Sequence, residues 1–372
     1  MTPGIDPDFN RLATLIRTHP AIAPIREAAT TPLYLVGGAI RDALADFRVD
    51  DIDLVIEGDP VPLAAGFDPA AKVNDRFGTV NLLVDGYPVD IATARTETYS
   101  RPGALPDVRP GTLEDDLRRR DFTINAMAIG IDEGSEMIDQ FGGIADLESG
   151  VLRVLHDASF EDDPTRALRA ARYAARLDFD LEAKTAELMM KVNLGSISRD
   201  RVESELRLIA LEDNALEALR LARLWGLVDF PEERLDLAEQ AIELIEIEPW
   251  RDEAPREALI LEVVFGNLSG AEELLGEPGT PWQACRLTRG RTAMELVVAR
   301  ALGAVWLDRW QREWRWVELE ITGADLLAAG VPEGPQIGAG LDAALEAKLD
   351  RGESGVEAEM AVALKAVGAR LP

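Results

Sequence analysis

Two textures of hydrophobic and polar positions divide the chain. Up to about residue 140, short apolar or β-branched runs alternate with turns. Leu33–Val36 predicts a strand that ends at Gly37-Gly38, and 39–45 follows it as a helix. Ile52–Ile56 predicts a second strand. Thr79–Val84 and 87–92 flank Asp85-Gly86, a pair that marks a tight hairpin. From about residue 160, Ala, Leu, Glu and Arg recur at helical spacing to the end, with punctuation at Gly195, Pro231, Pro249 and 276–281. No repeat of fixed period occurs. The pattern predicts an α+β head followed by a long all-α remainder.

Composition narrows the chemistry. The 372 residues are 47% hydrophobic and 29% charged, which fits a globular chain of two or three domains. No apolar run reaches the ~18–20 residues of a membrane span, so no membrane partner is expected. The opening MTPGIDPDFNRL has no basic cluster leading into an apolar stretch, which predicts a cytoplasmic protein without a secretory leader. A single cysteine, Cys285, excludes a disulfide framework and a Cys-rich zinc module. Two histidines, His19 and His156, are too few for most His-based chemistry, and His156-Asp157 lacks the further histidines of a phosphohydrolase metal site. Carboxylates and arginines remain. The net charge of −29 excludes a broad basic field for nucleic acid but leaves room for a local groove. Nearly all the positive charge is arginine, whose planar fork suits bidentate work on phosphates and bases.

Asp51-Ile52-Asp53 opens the second strand. Alternation places Asp51 and Asp53 on one face and Ile52 and Leu54 on the other. Two adjacent carboxylates repel unless a divalent cation lies between them, and oxygen-only ligands favour Mg²⁺ over zinc. Taken alone, the pair is common by chance and reads first as two exposed acids at a strand end. Upstream, Leu35-Val36-Gly37-Gly38-Ala39-Ile40-Arg41-Asp42 reads as strand, glycine turn and helix start, where bare N–H groups can approach an anion. Asp90 is either a third carboxylate or an outward-facing polar residue. Arg118-Arg119-Arg120-Asp121-Phe122-Thr123-Ile124-Asn125-Ala126-Met127-Ala128 sets an arginine cluster against an acid ahead of an expected small-residue helix, a pattern able to bind phosphate and ribose hydroxyls together.

Together these segments resemble the class II tRNA nucleotidyltransferase and bacterial poly(A) polymerase family. Its signatures are L-V-G-G-x-x-R-D, D-x-D and R-R-D-F-T-x-N-A-M-A, and all three occur here in that order. The resemblance implies a polymerase-beta-like nucleotidyltransferase head over 1–145 that joins nucleotides to an RNA 3′ end without a nucleic-acid template. A helical neck with a base-reading motif would follow over 146–215, then a helical body and tail for tRNA binding over 216–372. Asp51 and Asp53 would hold Mg²⁺, with Asp90 as the candidate third catalytic carboxylate. Gly37, Gly38 and Arg41 would cradle the triphosphate. Arg119, Arg120 and Asp121 would contact phosphate or the ribose 2′-OH, with Asn125 in the same nucleotide-binding set.

The resemblance extends into the neck. Asp162-Asp163-Pro164-Thr165-Arg166 matches a Glu/Asp-Asp-x-x-Arg motif, with Asp in the place of the Glu common in relatives, and Leu168-Arg169-Ala170-Ala171-Arg172-Tyr173 matches L-R-A-x-R-F/Y. Residue chemistry supports a base-reading role independently. Asp163 accepts hydrogen bonds and Arg166 donates them, which complements the edges of cytosine and adenine. Guanine and uracil present the reverse order, and each mispaired buried polar group costs ~1–3 kcal/mol. Asp163 is also a natural helix cap, which would occupy one of its oxygens. Arg166, Arg169, Arg172 and Arg176 form either an exposed charged stripe or the lining of a cleft for triphosphate and RNA backbone. Asp200-Arg201-Val202-Glu203-Ser204-Glu205-Leu206 resembles the family's E-R-x-x-x-E-L element and is read as neck support.

In the tail, 321–326 and Gly334-Pro335-Gln336-Ile337-Gly338 resemble a C-terminal element of bacterial tRNA nucleotidyltransferases; that turn either offers N–H groups to a tRNA phosphate or serves as a packing corner. Trp306, Trp310 and Trp314, four apart, are read as core rather than as an RNA-stacking stripe. The implied activity is addition of the 3′-terminal CCA, or of CC or A alone, to tRNA from CTP and ATP. The alternatives are a poly(A) polymerase on the same scaffold and a catalytically silent RNA-binding protein.

Overall fold

The computed structural model describes residues 4–49, 51–68, 71–74 and 78–368. They form two compact units, Met1–Asp229 and Phe230–Pro372. The first unit carries a seven-stranded sheet. Its strands are β1 (Leu33–Val36), β2 (Ile52–Ile56), β3 (Lys72–Asn74), β4 (Thr79–Val84), β5 (Tyr87–Thr93), β8 (Ala128–Gly130) and β9 (Met137–Ile138). They lie in the order β3-β4-β5-β2-β1-β8-β9. Among the described residues of this sheet, only the β2–β5 pair is parallel. A separate antiparallel pair, β6 (Arg95–Thr98) and β7 (Asp107–Pro110), projects beyond β5. The β4–β5 hairpin turns on Asp85 and Gly86, at φ 51° and 84°, the double positive φ that this dipeptide favours.

One face of the sheet is apolar. Leu33, Leu35, Ile52, Leu54, Ile56, Val89 and Ile91 enter a core that also takes Phe122, Ala167, Ala170, Tyr173, Ala174 and Leu177. The Thr165–Leu177 helix therefore packs into the same core as the head strands. The compact division accordingly falls after Asp229, with no break at 145 or 215, because head and neck share their buried side chains.

The expected small-residue helix after Arg120 does not form. Phe122 is extended at φ −129°, Thr123–Asn125 makes a single 3₁₀ turn, and β8 follows. Pairing of β8 with β1 supplies backbone hydrogen bonds there, so tertiary context overrides local propensity.

The second unit is helical. Trp306 is buried and donates from Nε1 to the Leu274 carbonyl, as core packing requires of an indole. Trp310 and Trp314 are half-buried, with the Arg315 guanidinium over Trp310 and that of Arg309 over Trp314. A smaller core of Ile321, Leu326, Val331, Ala344, Ala363 and Leu364 organises the tail. Gly334 precedes the Pro335–Arg351 helix at the predicted turn. Among the described residues, no helix is long and apolar enough to cross a membrane.

Candidate active site

The two-residue strand period creates the site. While Ile52, Leu54, Val89 and Ile91 face the core, Asp53 and Asp90 project from the opposite face and line a cavity of about 540 Å³. The parallel β2–β5 register sets Asp53 directly beside Asp90. Asp51, exposed just before β2, joins Asp53 in the lining of an adjacent cavity of about 340 Å³. Burial pushes the Asp53 carboxyl pKa up; Arg120 opposes this, and Asp90 and Asp51 add to it. Such a carboxylate is stabilised by a cation. Its donor set is oxygen only, and among the described residues no three His, Cys, Asp or Glu side chains form a metal cage. Two carboxylates with room for phosphate and water is the arrangement that Mg²⁺ takes, so these residues fit that ion.

The glycine turn places its two residues differently. Gly37 sits at φ +68° and donates its N–H to the Met127 carbonyl at 3.2 Å. A Cβ there would lie 2.4 Å from Arg120 Nη1, so Gly37 provides clearance for that arginine, and its N–H is already taken. The structure thus corrects the expectation that Gly37 offers a free N–H to phosphate. Gly38, by contrast, lines both cavities. Arg41 is buried in the next turn; it bonds Asp42 and reaches Asn125 Oδ1 at 2.6 Å.

The arginine cluster is held by acids. Asp116, whose side chain is fully buried, accepts from Arg119 at 2.7 Å through Oδ1 and from Arg120 at 2.9 Å through Oδ2. Burial pushes this carboxyl up, but the two arginines outweigh it and hold it below the usual range. On the other side of Arg119, Glu97 of β6 accepts from Arg119 at 2.9 Å, from Arg95 at 3.0 Å and from the Tyr99 hydroxyl at 2.9 Å. Asp121 is buried and accepts from Arg169 at 2.7 Å, from Asn125 and from the Phe122 N–H. Burial opposes its ionisation, yet Arg169 and Asn125 pull its pKa down to about 2. Arg119, Arg120, Asp121, Asn125 and Arg169 all line the larger cavity.

Asp163 and Arg166, from the neck segment, line the same cavity. The helix starts at Thr165, and Asp163 caps it from outside: Oδ1 accepts from the Thr165 N–H at 3.0 Å and from its hydroxyl at 2.7 Å. Arg201 adds a third bond to Oδ1 at 2.6 Å. All three converge on one oxygen, which answers the capping conflict by keeping Oδ2 out of it. Arg166 is buried and donates to Ser159 Oγ and to the Arg119 carbonyl, both at 2.7 Å; a guanidinium has five N–H groups, so donors remain. The arginine stripe therefore lines cavities rather than projecting into solvent: Arg166 and Arg169 the larger, Arg172 and Arg176 the smaller. Arg120 Nε and Arg172 Nε are buried with no hydrogen-bond partner among the described residues.

Every expected site residue except Gly37 thus lines one or both cavities. Sequence reasoning missed Arg95, Glu97, Tyr99 and Asp116. His156 lies 4.0 Å from Asp162, and Asp157 pairs with Lys184, so neither joins the site carboxylates.

Residues 33–153 match the family described as the poly A polymerase head domain. The chain is similar to the A-adding tRNA nucleotidyltransferase of Aquifex aeolicus, at 45% identity over 206 residues, 53% of this chain and 25% of that protein. The CC-adding tRNA nucleotidyltransferase of Deinococcus radiodurans is 40% identical over 217 residues, 54% of this chain and 56% of that protein. The chain spans about a quarter to a half of the length of the curated relatives it matches. The solved structure of the Thermotoga maritima CCA-adding enzyme complexed with tRNA is 27% identical, with a TM-score of 0.75 over 96% of this chain and 98% of that one.

Proposed function

We propose that the chain is a tRNA nucleotidyltransferase that adds the 3′-terminal CCA, or its CC or A part, to tRNA from CTP and ATP in the cytoplasm. The observation that carries this reading is a single cavity whose lining includes both the Asp53 and Asp90 carboxylates and the Asp163 and Arg166 pair. Carboxylates suited to the reaction, a hydrogen-bonding pair of opposite polarity and several arginines thereby share one lining. The activities of the relatives support the reading; the three described above are A-adding, CC-adding and CCA-adding.

In this reading, Asp163 Oδ2 accepts the exocyclic amino group of cytosine or adenine, and Arg166 donates to the neighbouring ring acceptor. Asp121 and Arg119 face the ribose, where a carboxylate can accept from a 2′-OH. Arg120, Arg41 and Arg172 receive the triphosphate, whose oxygens would satisfy the orphaned Nε donors of Arg120 and Arg172. Asp51 and Asp53 hold Mg²⁺, and Asp90 is positioned to accept the proton of the RNA 3′ hydroxyl. When bound there, Mg²⁺ supplies Lewis acidity that favours the 3′ alkoxide and offsets charge on the leaving pyrophosphate. Because the base edge is read by fixed side chains, no nucleic-acid template is required. In both cavities arginines and acids are close to balanced, so the linings escape the negative excess of a chain of net charge −29 and leave room for RNA there.

The test supplies tRNA ending before the CCA, after CC, or complete, together with each nucleoside triphosphate singly. Incorporation limited to CTP and ATP, stopping after one to three nucleotides, is expected. Equal use of UTP or GTP would overturn the base-reading roles, and long ATP-only tails on generic RNA would favour a poly(A) polymerase instead.

A further inference from the structure

Tyr173 stands where the two cavities adjoin. It lines both of them, as Gly38 and Asp53 do, and is only 7% exposed. Three guanidiniums surround its ring: Arg41 at 4.7 Å from the centroid, Arg172 at 5.1 Å and Arg169 at 5.9 Å. Phe122 packs edge-on at 5.9 Å and fixes the ring plane. Three cations brought this close repel one another, and an electron-rich ring face between them reduces that cost.

The hydroxyl extends the argument. Arg169 Nη2 and Arg172 Nη2 each donate to Oη at 3.4 Å. A phenol carries one donor hydrogen besides its acceptor capacity. With donors on two sides, that hydrogen is turned towards an acceptor elsewhere, and the chemistry that an arginine-lined cavity attracts is a phosphate oxygen. Burial pushes the phenol pKa up, but Arg169, Arg41 and Arg172 outweigh it and leave it below the ordinary tyrosine value. A more acidic hydroxyl is the stronger donor to an anion.

We propose that the Tyr173 hydroxyl donates a hydrogen bond to the triphosphate of the bound nucleotide, while its ring spaces the arginines that neutralise the rest of that charge. The inference rests on the nucleotidyl-transfer reading above and assigns a substrate contact that the sequence motif, satisfied by Phe or Tyr, does not specify.

Tyr173→Phe keeps the ring and removes only the hydroxyl. Equilibrium binding of CTP and ATP, and of CMP and AMP as probes lacking the β- and γ-phosphates, is measured with Mg²⁺ for the wild type and the variant. A charge-assisted hydrogen bond predicts a ten- to hundredfold loss of CTP and ATP affinity in Tyr173→Phe, with CMP and AMP changed less than twofold. An equal loss for triphosphate and monophosphate would reveal a general structural effect and overturn the proposal, and so would no loss at all. Tyr173→Leu, which also removes the ring, is expected to weaken triphosphate binding further; equality with Tyr173→Phe would remove the spacing role. Wild-type protein that neither binds CTP and ATP nor extends tRNA would instead overturn the nucleotidyl-transfer reading, so the two failures are distinguishable.

Discussion

Arg201 Nη2 donates to Asp163 Oδ1 at 2.6 Å, and its Nη1 donates to the Gly103 carbonyl at 2.9 Å. One guanidinium thus ties Asp163, the acid of the proposed base-reading pair, to the segment between β6 and β7. Asp163 sits outside the helix proper, so this tie and the Thr165 cap together fix its direction. Arg201→Met retains a long side chain but removes both bonds. We expect the preference for CTP and ATP over UTP and GTP, read as the ratio of kcat/KM values, to fall about tenfold, the effect of one lost charged hydrogen bond. Unchanged discrimination would show that the cap alone orients Asp163.

Asp53 and Asp90 are register neighbours, and the Asp90 charge adds to the upward pressure on the Asp53 carboxyl pKa. Asp53→Asn is expected to lower single-turnover incorporation by about a thousandfold or more while leaving the melting temperature unchanged or raised, because it removes a destabilised buried charge. Asp90→Asn retains a side-chain oxygen to accept from Asn81 across the hairpin, so the variant keeps the local bond. A comparable rate loss in Asp90→Asn identifies a third reaction carboxylate; a loss under tenfold makes it an outward polar residue.

How much of this was legible follows from where each signal lies. β1 and β2 have the predicted bounds because their core-facing apolar residues and their ends at glycines or acids coincide. Asp116 was readable in principle, since spacings of three and four before Arg119 and Arg120 place it within reach on one helix face. Glu97 was not: it lies in the polar run Arg95–Thr98, which has no apolar period, and its tie to the arginine cluster is to Arg119, 22 residues further on. The 122–128 segment misled because small residues favour a helix locally, whereas the open edge of β1 took it as a strand.

Asp121 links the site to acid stability. Its pKa is about 2 in the fold, against ~3.9 when unfolded. A depressed folded pKa contributes stability that is present above pH ~4 and is lost as pH falls towards 2. The contribution at neutral pH is about 2–3 kcal/mol. Asp121→Asn should therefore be less stable than wild type at pH 7, and the gap in denaturant-unfolding free energy should narrow between pH 4 and pH 2. A gap independent of pH would show that the Arg169 pair does not contribute through ionisation.

Gly37 and Gly38 offer a paired control. Gly37→Ala must place a Cβ at φ +68° and displace Arg120 Nη1, which is not free to move because Asp116 holds Nη2 of the same side chain. A loss of ~1–3 kcal/mol of stability and a raised KM for both CTP and ATP are expected. At Gly38 an added Cβ meets only Arg41 Nη2, at an ordinary 3.6 Å. Gly38→Ala should fold like wild type, so any loss of nucleotide binding in it would report crowding of the triphosphate itself. Equal stability of the two variants would contradict the clearance role of Gly37.

The tail depends on one buried acid. Glu359, with a fully buried side chain, accepts from the Glu320 and Ile321 N–H groups through Oε2, at 2.7 and 3.2 Å, and from Lys348 through Oε1 at 2.8 Å. Burial pushes its carboxyl up, but Lys348 and the two backbone donors outweigh that and hold it below the usual range. A glutamine amide has one accepting oxygen, so in either orientation Glu359→Gln sets an NH₂ against a donor. The expected cost is about 2–4 kcal/mol, confined to the Ile321–Leu364 core that these bonds close. Hydrogen exchange should accelerate in the Pro335–Arg351 and Val356–Ala366 helices, with the protection of β1, β2 and β5 unchanged. Nucleotide binding by the head should survive in the variant, whereas turnover on tRNA should fall if the tail holds the RNA. Full turnover on tRNA with a loosened tail would remove that tail from substrate recognition.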